Sequence, residues 1–314
     1  MQFFITLLIY KTTMRKNLFH KFSHTNKDTD FKFSNNTNVC FCSYYKKGVF
    51  MEKLDFLIDY LIKENKKIDI KEIPQNISDK KRLYRSLCNI REPLPISEEY
   101  IRIENEFLTK ENLNKGIIEP NDITPFIKYK GSQIYLWQGN ITALKIDAIV
   151  NAANSQGLGC FIPCHKCIDN AIHSASGAQL RLECNKIMQE IEILQTGKAF
   201  ITNGYNLPSK YVIHTVGPII YEDVTEKEIL ELKKCYINSL ELAKENNIKA
   251  IAFPCISTGE FRFPKGLASK IAIETIKEYL DTNEKYFEKI IFNVFSDEDY
   301  KIYLNNLGGI YGRM

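Results

Sequence analysis

The 314-residue chain has no apolar run that approaches the roughly 18 residues needed to cross a membrane. Its most apolar stretch, residues 2–10, follows no basic segment and precedes no cleavage site of small residues, so it does not resemble a secretory signal. We therefore expect no membrane contact, and the lack of targeting signals favours the cytoplasm.

A strong excess of either charge is also missing. Lysine and arginine total 42 against 38 acidic residues, which leaves a net charge of +4, and the lysines are scattered among glutamates. Nucleic-acid-binding domains cluster basic residues on one face, so we expect no nucleic-acid partner. The composition is that of a globular protein, and the length allows one α/β domain of about 180–200 residues plus a smaller unit.

The nine cysteines are an odd number, and three of them lie with a histidine within eight positions. In a cytosolic protein such a cluster more often binds metal or reacts than forms disulfides. The cluster comprises Cys160, Cys164, His165 and Cys167. We expect four other cysteines to be core thiols, namely Cys88, Cys184, Cys235 and Cys255.

The first third of the chain reads as an extension of the main domain. Residues 1–50 are rich in asparagine, lysine, threonine and phenylalanine without a sustained period, which predicts a disordered or non-native segment. We hypothesise that translation starts at Met51. Residues 51–115 predict a small helical N-terminal region, with helices expected at 53–66, 78–89 and 97–110.

Residues 120–314 alternate between short apolar strands and amphipathic helices. This alternation predicts an α/β fold in which helices cover both faces of a mostly parallel or mixed sheet. Strands are expected at 134–137, 146–150, 197–202, 211–214, 249–253 and 289–294, and helices at 167–187, 225–246 and 265–281.

The most informative segment is 147–184. A short apolar strand, Ala148 to Val150, leads into small and polar residues, then into the cysteine–histidine cluster, and then into an amphipathic helix. Open α/β sheets build their sites at the carboxyl ends of their strands. The sequence therefore predicts an active site in this segment.

Five ordered segments resemble the macrodomain family of ADP-ribose-binding modules, which have a three-layer α/β/α fold with a mixed central sheet. Together they span residues 138–264, roughly two-fifths of the chain. We expect the same fold here, preceded by the helical extension. The segments are QGNIT at 138–142, DAIVNAAN at 147–154, AIHSASG at 171–177, VIHTVGP at 212–218 and PCISTGEFRFP at 254–264.

Many hydrolytic macrodomains carry a run of glycines where this chain carries its cysteine–histidine cluster. In this respect the chain is similar to the zinc-dependent macrodomains, microbial protein-ADP-ribose hydrolases that also have a helical N-terminal extension. The resemblance implies one Zn²⁺ per chain, bound by Cys160, His165 and Cys167, with Cys164 outside the ligand set. Some members are encoded beside a class M sirtuin that ADP-ribosylates a lipoylated carrier protein. The resemblance therefore implies a functional link to such a sirtuin and a lipoylated carrier protein as a partner.

Two other interpretations of the cluster stay open. Cys160, Cys164 and Cys167 also match the cysteine spacing of radical S-adenosylmethionine enzymes, although too little chain follows to build their barrel. A closed zinc site could merely pin the loop, although only three ligands are convincing. Whether a catalytic zinc orients the distal ribose or polarises a water is not decided by the sequence.

The resemblance also assigns contacts with ADP-ribose. Asp147, followed by Ala148 at the start of a strand, matches the aspartate that contacts adenine. Asn154 matches the asparagine at the distal ribose, whereas Asn151 is expected to hold the loop by backbone bonds.

A glycine-containing loop after a buried strand is expected to bind the diphosphate. Successive backbone N–H groups in such a loop form a nest for anions. The ring at the end of the loop is expected to stack on the distal ribose. The predicted residues are Ser257, Thr258, Gly259, Glu260 and Phe261.

The catalytic residues implied by the resemblance are Asn154 and Asp169, with Asp169 positioning the attacking water. His173 and His214 are expected to be core residues. We therefore expect a hydrolase that removes mono-ADP-ribose from protein side chains, at an Asp or Glu ester linkage. The alternatives are a reader that binds ADP-ribose without turnover and a deacetylase of O-acetyl-ADP-ribose.

Overall fold

The computed structural model describes residues 37–65, 67–68, 70 and 72–312, with side chains described from residue 50 onward. Residues 1–36 of the predicted extension lie outside the described residues. The chain divides between Tyr84 and Arg85 into two compact units. Within the described ranges, no helix is both long and apolar enough to span a membrane.

The first unit contains a long helix, α1 (Thr37–Glu64), and most of α2 (Ile77–Ile90). The helix predicted to begin at residue 53 therefore begins earlier, at Thr37. Leu54, Leu57, Ile58 and Leu61 are buried, and their spacing forms one apolar stripe along α1.

The second unit begins with the end of α2 and includes α3 (Glu98–Asn114), which ends four residues later than predicted. Ser97 caps α3 by accepting a hydrogen bond from the Tyr100 amide. The Asn112 side chain donates to the carbonyl oxygens of Ala175, at 3.0 Å, and Asn206, at 2.7 Å. These bonds fix α3 to the rest of the second unit.

A seven-stranded mixed sheet forms the centre of the second unit, with strand order β1-β2-β7-β6-β3-β5-β4. The five inner strands are parallel, and β1 and β4 pair antiparallel at the two edges. The strands are β1 (Ile127–Tyr129), β2 (Ser132–Gln138), β3 (Ala148–Ala152), β4 (Ala199–Asn203), β5 (Tyr211–Thr215), β6 (Ala250–Phe253) and β7 (Lys289–Val294).

Helices cover both faces of this sheet through two separate apolar clusters. One cluster joins the sheet to the three helices that follow β5, β6 and β7, and the other joins it to the two helices between β3 and β4. The three layers and the mixed sheet confirm the predicted fold class. The helices are α4 (Ile168–Ser176), α5 (Ala178–Ile191), α6 (Glu226–Glu245), α7 (Lys265–Thr282) and α8 (Asp297–Tyr311), with single 3₁₀ turns at Pro120–Asp122 and Ile141–Ala143.

The single helix predicted at 167–187 is two helices, α4 and α5. Gly177 separates them with φ 97° and ψ −176°, a conformation open almost only to glycine. A Cβ atom at this position would lie 2.8 Å from Glu104 Oε2. The break ends α4 one turn after His173 and lets α5 start in a new direction.

Two elements were not predicted from the sequence. Strand β1 is only three residues long and pairs with β2 through a two-residue turn, in which Lys130 and Gly131 both have positive φ. Helix α8 follows β7 and is capped by the Ser296 hydroxyl, which accepts from the Asp299 amide.

Candidate active site and metal centre

The parallel strands β2, β7, β6, β3 and β5 point the same way, so their carboxyl ends meet at one edge of the sheet. We call this the carboxyl edge. The loops that leave it contain most of the residues predicted to bind ADP-ribose or metal. They are the segments 139–140, 151–167, 216–221, 254–261 and residue 295.

Asn151 and Asn154 at the end of β3 both donate to Asp169 near the start of α4. The Asn151 Nδ2 atom lies 2.8 Å from Asp169 Oδ1, and Asn154 Nδ2 lies 3.3 Å from Asp169 Oδ2. Asp169 is only 4% exposed, and this burial raises the pKa of its carboxyl group to about 7. The buried Asp169 carboxyl group therefore accepts a hydrogen bond from each of the two side-chain amides.

The same network continues into the core through His214. Asn151 Nδ2 lies 3.1 Å from His214 Nδ1, and Thr202 Oγ1 lies 2.9 Å from His214 Nε2. Burial lowers the pKa of His214 to about 3, so the ring is neutral at physiological pH. Asn151 thus links two buried groups through its side chain, whereas the prediction for this residue was a role through backbone bonds.

Cys160, His165 and Cys167 come together in the loop that precedes α4. Their donor atoms all lie within 4.8 Å of one another, and Cys160 Sγ is 3.7 Å from His165 Nδ1. The hydrogen bond between the two thiols lowers the pKa of Cys160 to about 5 and raises the pKa of Cys167. Cys160 is therefore readily available as a thiolate, the form that binds metals.

This donor set fits a zinc ion. Zinc favours thiolate and imidazole donors at about 2.3 and 2.0–2.1 Å, which sets tetrahedral donors roughly 3.5–3.8 Å apart. The observed separation of Cys160 from His165 falls in that range. Three protein donors leave one coordination position open, as in catalytic rather than closed structural sites.

Cys164 is not part of this cluster. Its Sγ atom lies 3.1 Å from the Ser86 hydroxyl, and its backbone has a positive φ of 52° that turns the chain between the donors. The structure thus leaves Cys164 out of the group of donors formed by Cys160, His165 and Cys167. A three-cysteine arrangement like that of an iron–sulfur site is not formed.

A second group of metal-type donors, His173, Cys184 and His214, is buried in the core. Both ring nitrogens of His214 already face Asn151 and Thr202. Burial also raises the pKa of Cys184, which disfavours the thiolate that a metal would need. We interpret this group as part of the core, as predicted for all three residues.

The loop after β6 presents open backbone donors at the carboxyl edge. Within the described part of the chain, the amides of Thr258, Gly259 and Glu260 make no hydrogen bond. Ser257 has a positive φ of 65° and lies so close to Gly217 that a Cβ atom there would be 1.9 Å from the serine hydroxyl. The loop can therefore act as an anion nest.

Glu260 connects this loop with the metal donors. Its Oε1 atom lies 3.4 Å from His165 Nε2, while His165 Nδ1 faces Cys160. A carboxylate on the outer nitrogen of a metal-binding histidine commonly fixes its tautomer and ring orientation. The side chain of Glu260 therefore faces the metal donors, whereas its amide remains available to a ligand.

Asp147 and Ala148 do not reach the site, and we correct their assignment. They lie at the amino end of β3, about 15 Å of strand away from Asn151–Asn154. Asp147 Oδ1 pairs with Lys210 Nζ at 2.7 Å, and Oδ2 accepts from the amides of Lys249 and Ala250. Ala148 is fully buried. Asp147 therefore joins the starts of β3 and β6, at the opposite end of these strands from the carboxyl edge.

Two residues at the carboxyl edge were missed. Phe295 directly follows β7 and is 80% exposed, and the Gln138 side chain donates to its carbonyl oxygen at 3.3 Å. Asn140 follows β2 and is also exposed. The QGNIT segment contained a signal for Asn140, but no motif in the sequence marks Phe295.

Comparisons with known proteins show which family the chain resembles. A Macro domain family model matches residues 150–272. The chain is 46% identical over 253 residues to the protein-ADP-ribose hydrolase of Treponema medium, covering 80% of this chain and 97% of that one. It is 44% identical over 254 residues to the protein-ADP-ribose hydrolase of Staphylococcus aureus strain MSSA476, covering 80% and 93%. The Trypanosoma brucei macrodomain solved in complex with ADP-ribose matches with a TM-score of 0.56 and 30% identity, covering 68% of this chain and 92% of that chain.

The hydrogen-bond network predicts different roles for the two asparagines. Asn151→Ala leaves Asp169 and His214 buried without a shared partner, so we expect it to lower the free energy of unfolding by about 1–3 kcal/mol. Asn154 is partly exposed, so Asn154→Ala should lower it by less than about 1 kcal/mol. Urea unfolding of the two variants tests this, and equal losses would contradict the assignment.

Proposed function

The chain belongs to the macrodomain family and is a hydrolase of ADP-ribosylated proteins, and we propose that it removes mono-ADP-ribose from Asp or Glu side chains with one bound zinc ion. The observation that carries the proposal is the meeting of the anion nest, the Asn151–Asn154 segment and the three metal donors at one edge of the sheet. Each group suits a different part of the same ligand.

The strand order arranges these groups in a line. Along the carboxyl edge the strands follow one another as β2, β7, β6 and β3. Neighbouring strands lie about 4.8 Å apart, so the line is about 14 Å long. We place ADP-ribose along it, with adenine at β2 and β7, the diphosphate at β6 and the distal ribose at β3.

Phe295 and Asn140 replace Asp147 as our candidates for the adenine end. An exposed aromatic ring offers a stacking surface for a base, and the Asn140 Nδ2 group can donate hydrogen bonds while its Oδ1 atom accepts from Thr142. The hydrogen bond from Gln138 to the Phe295 carbonyl, together with the bond from Asn293 to the Gly139 carbonyl at 3.0 Å, holds the two loops side by side.

The middle of the ligand falls at the loop after β6. The open amides of Thr258, Gly259 and Glu260 suit the charged oxygens of a diphosphate. No side chain crowds Gly259, where an added Cβ atom would meet nothing within 4 Å. Phe261 follows the nest and remains our candidate for stacking on the distal ribose.

The distal ribose then lies at the end of β3, beside the metal donors. Asn154 would contact the ribose, and Asp169 would act as a positioning residue, because its carboxyl group is buried and faces the Asn154 amide. Hydrolysis adds the hydroxyl of a water either to the ribose C1″ atom or to the acyl carbon of the side chain. The remaining proton of the water goes to the oxygen that departs. Bound zinc would supply Lewis-acid polarisation of a ribose oxygen or of that water.

The substrate proposal rests on the resemblance to zinc-dependent macrodomains. It supports, as one candidate, a lipoylated carrier protein that a class M sirtuin has ADP-ribosylated.

The direct test is release of free ADP-ribose from a protein modified on Asp or Glu. We expect release by the wild-type chain and about 100-fold slower release by Asn154→Ala, because misplacement of the ribose near the reacting bond costs about that much. Binding of ADP-ribose without release would favour a reader. Turnover of O-acetyl-ADP-ribose alone would favour the deacetylase.

The three donors predict which cysteines hold zinc. Cys160→Ser and Cys167→Ser should each reduce bound zinc well below one ion per chain, since a hydroxyl is a poor substitute for thiolate. Cys164→Ser is the matched control and should retain about one ion, because its sulfur faces Ser86. Metal analysis of the purified proteins distinguishes the cases, and equal zinc loss in Cys164→Ser would refute the ligand set.

The placement of adenine can be tested by affinity for ADP-ribose. Removing one stacking ring costs about 1–3 kcal/mol, so Phe295→Ala should weaken binding about 5- to 150-fold in calorimetry. Asp147→Asn is the control from the amino end of β3 and should bind normally. The reverse result would restore Asp147 as the adenine contact.

A further inference from the structure

We propose that residues 85–90 of α2 shape the metal loop, residues 160–167, and that Arg85 and Asn89 are positioning residues for its three donors. This inference rests on the proposed zinc site. It gives the end of α2 a role in metal retention, which neither the family resemblance nor the relatives' names assign.

Arg85 contacts the metal loop at His165, one of the three proposed zinc ligands. Its Nη2 atom donates to the carbonyl oxygen of His165 at 3.1 Å. The Nε and Nη2 atoms also donate to the Asn170 Oδ1 atom, at 3.1 and 2.6 Å. A planar guanidinium group can bridge two acceptors in fixed directions, which a lysine ammonium group cannot reproduce. Arg85 thereby fixes His165 relative to α4.

Asn89 binds the next part of the loop. Its Oδ1 atom accepts a hydrogen bond from the Cys164 amide at 2.8 Å, and its Nδ2 atom donates to the Ser174 hydroxyl at 3.1 Å. The side chain is 1% exposed, so this bond is shielded from water. The bond holds the residue whose positive φ turns the chain between Cys160 and His165.

Asn170 completes the set from the first turn of α4. It is fully buried, and its Nδ2 atom donates to the Ile162 carbonyl at 3.0 Å. Three backbone groups of the metal loop are therefore bound by side chains from two helices. Their atoms are the carbonyl oxygen of Ile162, the amide of Cys164 and the carbonyl oxygen of His165.

The metal loop depends on these side chains because it has little regular structure of its own. Its internal backbone hydrogen bond runs from the His165 amide to the Ile162 carbonyl, at 3.2 Å. A loop that must be ordered when the ion binds loses affinity to conformational entropy, whereas a preset loop does not. Groups that orient metal ligands typically change affinity 10–100-fold when they are replaced.

The test measures zinc affinity of the full chain by competition with a chromophoric chelator. Arg85→Lys and Asn89→Ala should each weaken zinc binding about 10–100-fold. Arg82→Lys is the matched control, an exposed arginine on the same helix, and should leave the affinity unchanged. The absorption spectrum of the cobalt-substituted protein should also change in the first two variants, because it reports the arrangement of the donors.

The outcomes separate this inference from the proposed function. Wild-type zinc binding with equal affinity in Arg85→Lys and Asn89→Ala overturns the inference alone. Failure of the wild-type chain to bind zinc overturns the zinc part of the proposed function and this inference with it. Thermal unfolding in excess chelator checks folding, and Arg85→Lys, which retains the charge, carries the test if Asn89→Ala does not fold.

Discussion

Parallel pairing of β2, β7, β6 and β3 is the constraint on which the site depends. It brings residues that are far apart in sequence to a single edge of the sheet, because parallel strands all end on the same side. This alignment brings three groups together: the exposed ring after β7, the open amides after β6 and the asparagines after β3. The same pairing excludes Asp147, which lies at the opposite ends of these strands.

A buried polar network supports the asparagine end of the site. Asp169, Asn151 and His214 lie in the core, where the Asn151 Nδ2 atom bonds to both of the other side chains. Such networks rigidify a site when they are complete and destabilise it when one member is removed. Asn154 extends the network to the surface, where it can contact a ligand.

Local patterns predicted the fold and much of the site. Hydrophobic periodicity located six of the strands, and the cysteine–histidine spacing and the ordered motifs pointed to the metal loop and to the loop after β6. The sequence was least informative where contacts span long separations. Arg85 meets Asn170 and His165 across about 80 positions, and no local pattern marks such a pair. The assignment of Asp147 to adenine came from the family resemblance, although the predicted strand already placed Asp147 at its amino end, and the structure places it just before β3.

We propose that the metal loop makes this macrodomain a metal-dependent hydrolase. The most direct measurement is ADP-ribose release from an Asp- or Glu-modified protein by the full chain, before and after removal of metal by a chelator. We expect release to disappear when the metal is removed and to return when zinc is added. Unchanged release by the metal-free chain would contradict it.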